Sequence, residues 1–445
     1  MADVQRQLEY VLRTVEERGV RFVRLWFTDV LGFLKSVEIT PAELESALEE
    51  GVTFDGSTIE GYSRIQESDM IARPDAGTFE LLPSTRPDEP VGARIFCDVE
   101  TVSGEPFAGD PRHVLKRNLE RARAAGFTFL VGPEMEFFYS RTAQALEPLD
   151  DAGYFQLTAH DLGSELRKQT VLRLEAMGIP VEYSFHENGP SQHEIDLRHT
   201  DALTMADNVM TFRLIAKEVA ADAGVYATFM PKPITGAFGS GMHTHMSLFS
   251  GEANAFHDPD DEYGLSPVAK HFIAGLLVHA DEICAVTNQW VNSYKRLIPG
   301  YEAPVYKCWA RNNRSALVRI PLARSSKIES TRIEFRAPDP ACNPYLAFSV
   351  MLAAGLRGIE SGYELPAEAT DNIYALSDSR REAEGIGALP GSLRDALDAM
   401  EKSELVVDAL GEHVFENFLA NKRREWADYK AYVTPFELDR YLPTL

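Results

Sequence analysis

Cysteine is scarce: four residues in 445, at Cys97, Cys284, Cys308 and Cys342, with no C-x-x-C pair. That scatter argues against a disulfide framework and against a thiolate zinc site, and it fits a reducing compartment. Positive charge is short too. Lys plus Arg number 44 against 68 Asp plus Glu, a formal net charge of −24. A surface of that sign repels nucleic-acid phosphates and anionic lipid, so neither nucleic acid nor membrane is expected as a broad-surface partner. An anionic substrate must then meet a local cluster of arginines. No apolar run reaches membrane-spanning length. Met1-Ala2-Asp3-Val4-Gln5-Arg6 opens an amphipathic helix rather than the apolar core of a signal peptide, so the expected location is the cytoplasm. Internal repeats and low-complexity segments are missing. A Walker A sequence is missing as well, so any phosphates are held without a P-loop.

What is present suits a globular protein with a substantial core: 44% of residues are hydrophobic. Val4, Leu8, Val11, Leu12 and Val15 recur at helical spacing, with Gly19 placed to end that helix. Val20 to Phe27 and Phe33 to Ile39 are strand-like around Thr28-Asp29-Val30-Leu31-Gly32, which suggests a hairpin. Thr40-Pro41-Ala42-Glu43 reads as a capping box that opens a short helix ending near Gly51. A polar, glycine-bearing loop and a strand from Ala93 to Val99 complete a compact unit ending near residue 107. Asp110-Pro111 then starts a helix to Gly126, so the expected domains are 1–107 and 108–445. Beyond the boundary, strands alternate with helices across Glu165 to Met177 and Ala202 to Ala221, the latter with Met205, Val209, Phe212, Ile215 and Val219 on one face.

The chemistry centres on Gly132-Pro133-Glu134-Met135-Glu136-Phe137-Phe138, which follows strand-forming apolar residues. Successive strand side chains point to opposite faces, so Glu134 and Glu136 project together while Met135 and Phe137 pack behind them. Two adjacent carboxylates raise each other's pKa unless a cation lies between them, and oxygen donors suit a hard divalent ion. Glu187 and Glu194 flank a Gly-Pro turn that can bring them together. In Gly239-Ser240-Gly241-Met242-His243-Thr244-His245-Met246-Ser247-Leu248 the same alternation puts His243, His245 and Ser247 on one face. Arg332, Glu334 and Arg336 share a face in a further strand, and Arg296, Arg314 and Arg319 lie upstream. Arginines hold carboxylate and phosphate oxygens through paired hydrogen bonds. Metal-capable segments beside an arginine cluster favour metal-assisted phosphoryl transfer.

Seven segments, in this order and spacing, carry a closer likeness. They are Phe54-Asp55-Gly56-Ser57, Gly132-Pro133-Glu134-Met135-Glu136, Gln192-His193-Glu194, Gly239-Ser240-Gly241-Met242-His243, Asn292-Ser293-Tyr294-Lys295-Arg296, Asn313-Arg314-Ser315 and Asn343-Pro344-Tyr345-Leu346. The chain resembles bacterial type I glutamine synthetases of the short, alpha-like subclass over nearly its whole length. The resemblance implies an α+β fold: a small β-grasp amino-terminal domain, then a large catalytic domain with a curved antiparallel sheet. It implies a homo-oligomer, a dodecamer of two stacked hexameric rings, with each active site between neighbouring subunits. The implied reaction is ATP-dependent ligation of glutamate and ammonia through γ-glutamyl phosphate.

Carried over position by position, Glu136, Glu187 and Glu194 would hold a first Mg²⁺ or Mn²⁺, and Glu134, His243 and Glu334 a second. Glu182, His245, Ser247 and Arg332 fall at positions for ATP. Gly239 and Arg296 fall at the glutamate site, Arg336 on glutamate and the transferring phosphate, and Arg314 and Arg319 on the phosphates. Glu302 matches a flap residue that takes a proton from the amine, and Asp55, from the neighbouring subunit, an acid that binds ammonium. Where the family carries asparagine before Gly239, this chain has Phe238. Tyr374 lies near a tyrosine that some members adenylylate, but the sequence after it differs, and a packed or surface tyrosine is expected. Arg64 matches an arginine linked to glutamine feedback. Arg21 to Asp29 and Gly411 to Phe415 look like an actinobacterial paralogue branch that includes γ-glutamylpolyamine synthetases, so a larger amine is the alternative substrate. A non-catalytic ring protein is the alternative of another class.

Overall fold

The valine and leucine spacing near the start does fold as helix α1 (Ala2–Glu17), followed by Gly19 at φ 62°, a left-handed conformation glycine adopts without a Cβ penalty. The structure is a computed structural model describing residues 2–445 except 58, 60, 62–68, 84–89, 158–160, 312, 322–329 and 371–372, with residues 2–4 as backbone only. Arg64 lies outside the described residues. Strands β1 (Phe22–Thr28) and β2 (Leu34–Ile39) form the expected antiparallel hairpin. The capping box does not form. Glu43 N–H, the donor that the Thr40 hydroxyl was to satisfy, bonds the Thr40 carbonyl at 3.0 Å in a 3₁₀ turn, Pro41–Glu43. Helix α2 (Leu44–Glu50) starts only after that turn, and Gly51 at φ 80° ends it.

Strands β3 (Val52–Asp55), β4 (Asp69–Pro74), β5 (Glu80–Leu82) and β6 (Gly92–Thr101) complete a six-stranded sheet ordered β2-β1-β6-β4-β3, with β5 beside β6. The central β1–β6 pair is parallel, the β-grasp arrangement. Val11 and Val15 of α1 bury against Val23, Leu25 and Ile95 of the sheet.

Helix α3 (Pro111–Ala124) is capped by Asp110, whose carboxylate accepts from Arg112 N–H. Next come β7 (Thr128–Ser140), α4 (Leu162–Ala176), β8 (Val181–His186), β9 (Gln192–Leu197), β10 (Thr200–Asp201), α5 (Ala202–Asp222), β11 (Tyr226–Thr228), β12 (Met242–Ser250) and β13 (Ala253–Asn254). Helices α6 (Pro267–Val278), α7 (Ala280–Thr287) and α8 (Ser293–Arg296) precede β14 (Tyr306–Ala310), β15 (Ala316–Arg319), β16 (Ile333–Phe335) and α9 (Pro344–Ser361). The chain finishes with α10 (Asp378–Ala383), α11 (Leu393–Met400), α12 (Glu404–Leu410), α13 (Glu412–Ala431) and α14 (Pro435–Tyr441). The ten strands from β7 onward form one sheet with the path β14-β15-β16-β12-β7-β9-β8. It is mixed rather than wholly antiparallel, because β14 and β15 run parallel.

Strand β7 sits mid-sheet, and its alternation divides the molecule. Met135 and Phe137 are fully buried in the main core, where Phe137 packs edge-on to Phe212 of α5. Helix α5 is buried round most of its circumference, not on one face only, because α3, α4, α9 and β7 all pack on it. The β-grasp sheet is tied to this core by Arg112, 3% exposed, whose guanidinium meets Asp98 at 2.6 Å, Asp75 at 2.9 Å and Asp207 of α5 at 3.1 Å. Asp207 also accepts from the Tyr345 hydroxyl at 2.6 Å. A second tie is Asn343, whose amide donates to the carbonyls of Asp29 and Val30 at 3.2 Å.

Candidate active site

On the solvent side of β7, the register sets Glu134 opposite His243 of β12 and Asp196 of β9, and Glu136 opposite Glu194. These side chains line a cavity of about 530 Å³ with Glu187, Gly239, Arg296, Glu302, Arg314, Arg319, Glu334 and Arg336. Strands β7, β9, β12, β15 and β16 thus bring residues expected from the sequence to one place, joined there by Arg296 at the end of α8 and by the intervening loops.

One end of the cluster is cross-linked by imidazole. Glu134 meets His245 Nε2 at 2.6 Å and His243 Nδ1 at 3.2 Å, and His243 Nδ1 lies 3.6 Å from Glu334. Burial opposes ionisation of Glu134, but His245 and His243 hold it well below the usual carboxylate range. Burial and then Arg336 push His243 down to about 4, leaving a neutral imidazole able to act as a ligand. Glu334 is braced by Arg336 Nε at 3.2 Å and by Arg319. Ligand atoms of Glu134, His243 and Glu334 fall within 4.8 Å of one another, as do those of Glu134, Glu194 and Asp196.

The other end has carboxylates and little to balance them. Glu136 accepts from Gly241 N–H at 2.9 Å and from the Gln192 amide at 3.1 Å, yet burial and neighbouring Glu187 raise it to about 8. Burial, then Asp196, pushes Glu194 well up. Asp196 itself rises to about 7 through burial and Glu134, and its Oδ1 is buried without a hydrogen-bond partner among the described residues. Glu136, Glu187, Glu194 and Asp196 cannot all ionise in so buried a space. With an unmet oxygen among them, they form a donor set that fits hard divalent cations.

Glycine is required where the backbone crowds this set. A Cβ on Gly239 would lie 2.5 Å from the Pro231 carbonyl, and one on Gly241 would lie 2.5 Å from Arg296 Nη2 and 2.9 Å from His243 Nε2. Arg296 lines the cavity, but its guanidinium donates to the carbonyls of Ala337 at 2.7 Å and Arg336 at 3.0 Å, so it also fixes the wall. Arg336 keeps a buried Nη1 with no partner among the described residues. Glu302 is exposed at the cavity edge in a left-handed conformation, φ 56°.

The remaining expected residues lie elsewhere. His245 and Arg332 sit behind Glu134, with Arg332 Nε 3.2 Å from His245 Nδ1. Ser247 is buried further along β12 and Glu182 is exposed on β8; none of these four lines the cavity. Asp55 is exposed at the end of β3, accepting from Ser57 N–H at 2.8 Å, and does not line the cavity of its own chain. Tyr374 is half-buried and its hydroxyl donates to the Ala303 carbonyl, the packed one of the two alternatives.

Asp196 was missed, although the rule that paired Glu134 with Glu136 pairs it with Glu194. Tyr154 also lines the cavity and interacts with Arg314, a contact no local pattern announces. A buried brace behind Glu187 was missed too: His186 bonds the Glu187 carbonyl at 2.7 Å and Asp150 at 3.0 Å, and Asp150 accepts from Ser191 N–H at 3.0 Å.

Known proteins resemble this chain over nearly its whole length. Residues 108–441 match the family model for the glutamine synthetase catalytic domain and residues 19–102 the model for the glutamine synthetase beta-grasp domain. Glutamine synthetase of Mycolicibacterium smegmatis is 57% identical over 444 residues, covering 99% of this chain and all of that one. The Thermotoga maritima glutamine synthetase is 50% identical over 439 residues, 98% of this chain and 99% of that protein. Among solved structures, a GmaS/ADP complex superposes with a TM-score of 0.88 at 31% identity, covering 97% of this chain and 99% of that one. A cryo-EM structure of Plasmodium falciparum glutamine synthetase gives 0.88 at 26% identity, covering 98% of each chain.

Proposed function

The chain belongs to the glutamine synthetase family, and from that premise we propose that the cavity under β7 is the site at which it joins ammonia to the γ-carboxylate of glutamate with ATP. The protein is an ATP-dependent ligase. The observation that carries this reading is the cavity itself, where unbalanced buried acids adjoin an arginine wall; full-length similarity to glutamine synthetases supports it. Those relatives do not favour a polyamine as the amine, and the retained acid and arginine set does not favour a non-catalytic ring protein.

In this reading Glu136, Glu187 and Glu194 hold one divalent cation, Mg²⁺ or Mn²⁺, and Glu134, His243 and Glu334 a second. The donor set fits, and Asp196, whose ligand atoms lie within reach of both Glu194 and Glu134, is an additional oxygen between the two. Bound cations supply charge neutralisation for these acids and for the phosphates of ATP. The chain's own residues then do the following. Arg336, Arg319 and Arg314 face the phosphates and the glutamate carboxylate, with Arg336 Nη1, which has no partner among the described residues, as the donor offered to an anion. Glutamate's γ-carboxylate oxygen attacks the terminal phosphorus of ATP and ADP leaves. Ammonia attacks the acyl carbon, the C–O bond breaks, and phosphate leaves. Glu302, at the edge of the cavity, accepts the proton the nitrogen sheds, and the loop carrying it keeps water from the acyl phosphate.

The adenine and ribose are assigned to the strip marked by Glu182, His245, Ser247 and Arg332. Asp55 is assigned to a neighbouring subunit's cavity, which is supported by its absence from its own. A dodecamer of two rings is consistent with the exposed apolar side chains of Tyr432, Val433, Phe436 and Leu442 near the carboxyl end. The domains are assigned as 1–107 and 108–445, and the cytoplasm as the location, which is supported by four free, buried cysteines. Among the described residues no helix is long and apolar enough to cross a membrane. The test is glutamate- and ammonia-dependent phosphate release from ATP with Mg²⁺, with glutamine measured alongside. Equal release of phosphate and glutamine is the expected result; release with putrescine or spermidine but not ammonia would overturn the choice of amine.

A further inference from the structure

The loop that carries Glu302 is held from a side that the reaction chemistry does not explain. Tyr301, its neighbour, is clasped between two residues of the glycine-bearing loop that leads into β12. Phe238 meets the Tyr301 ring edge-to-face, with centroids 6.0 Å apart and planes at 90°. Lys232 Nζ sits over that ring at 3.8 Å from its centroid. Lys232 is 8% exposed and has little freedom: its N–H donates to Asn292 Oδ1 at 2.7 Å, its carbonyl accepts from Asn292 Nδ2 at 3.1 Å, and its ammonium donates to the Ala237 carbonyl. The clasp therefore rests on a rigid base. On the far side of Glu302, the Ala303 carbonyl accepts from the Tyr374 hydroxyl.

Between these two anchors Glu302 adopts φ 56°, a left-handed conformation that a non-glycine residue holds only when its surroundings dictate it. Edge-to-face aromatic pairs and an ammonium over a ring face are directional contacts, so they fix an orientation as well as a position. Phe238 and Tyr301 also both line the cavity beside Gly239.

We propose that Phe238 is a positioning residue: it orients Tyr301 so that Glu302 is held over the cavity, where it receives the proton from the amine and helps exclude water. This rests on the glutamate–ammonia reading of the site and deepens it. Two fates compete for the acyl phosphate. Attack by ammonia gives the amide and phosphate; attack by water on the same carbon regenerates the carboxylate and also releases phosphate. A loosened Glu302 loop shifts the partition toward water, so phosphate is released without glutamine.

The experiment measures phosphate and glutamine in the same reaction, at limiting ammonia, for the parent oligomer and for Phe238→Asn, Phe238→Tyr, Tyr301→Ala and Tyr301→Phe. The parent and the two ring-retaining variants, Phe238→Tyr and Tyr301→Phe, are expected to release close to one phosphate per glutamine. Phe238→Asn and Tyr301→Ala are expected to release at least threefold more phosphate than glutamine and to raise the KM for ammonia more than that for glutamate. Thermal unfolding and oligomer size of all four variants show whether they fold, and the ring-retaining pair keeps the test valid if one truncation does not. Coupled turnover in Phe238→Asn, with only the glutamate KM changed, would overturn the proposal and make Phe238 a substrate contact. A parent that releases no glutamate-dependent phosphate would overturn the underlying reading instead, so the two failures are distinguishable.

Discussion

Replacing Arg112 by Met should be among the most damaging single changes away from the cavity. The guanidinium is 3% exposed and meets three aspartates, but these are not equivalent. Asp75 is 33% exposed and Asp98 27% exposed, and Asp98 keeps Lys116, so losing those pairs costs about 1 kcal/mol or less each. Asp207 is only 5% exposed. With Met at 112 it keeps the Tyr345 hydroxyl and the longer-range attraction of Arg94, but no direct cation among the described residues. Removing one partner of a buried pair costs about 3–5 kcal/mol, more than the two exposed pairs together. Arg112→Lys, which keeps the charge but reaches fewer oxygens, should cost about 2 kcal/mol. Urea unfolding at fixed protein concentration, followed by tryptophan fluorescence, reports the effect, because buried Trp26 lies in the same β-grasp sheet. An Arg112→Met cost below about 1 kcal/mol, or one equal to that of Arg112→Lys, would refute the conclusion that the stranded Asp207 carboxylate accounts for most of the loss.

Three other outcomes are expected. Glu136→Ala should abolish glutamine formation and weaken Mn²⁺ binding by calorimetry while oligomer size by light scattering stays unchanged; retained turnover would remove Glu136 from the cation site. Gly241→Ala drives a Cβ to within 2.5 Å of Arg296 Nη2, so kcat/KM for glutamate should fall at least about tenfold, roughly 1.4 kcal/mol, and an unchanged value would mean the wall yields freely. Asp110 is buried and raised to about 7 in the fold, so the folded state binds its proton more tightly than the unfolded chain does. Its stabilising contribution is then complete below about pH 4 and declines as the pH rises toward 7. Asp110→Asn carries no such dependence, so the parent should lose a few kcal/mol of stability relative to the variant across that interval, as read from urea titrations. A constant gap would contradict the raised pKa.

Much of the site was legible because β7, β9, β12 and β16 obey a period of two, so residues two apart share a face whatever the rest of the chain does. Glu134 with Glu136, His243 with His245, and Glu334 with Arg336 all followed from that rule, and Asp196 should have. Local pattern was less secure at Thr40, where proline favoured a tighter turn whose backbone bond displaced the side-chain cap. It was silent on contacts made across long separations. Asp150 reaches His186, Arg112 reaches Asp207, and Phe238 finds Tyr301 only through the folded chain. The parallel β14–β15 pair was also hidden, because two strands so near in sequence ordinarily return as a hairpin.

Strand β7 has one further consequence, for what its sequence can tolerate. Its inward and outward residues are interleaved one by one, so a single inserted or deleted residue ahead of Glu134 would exchange them. The acids would be driven into the packed face of α5, and Met135 and Phe137 would be turned into the cavity. No compensating side-chain substitution repairs that exchange, because every position in the segment changes sides at once. The strand thus acts as a reading frame as much as a scaffold: drift in residue type can be absorbed along it, whereas drift in length cannot.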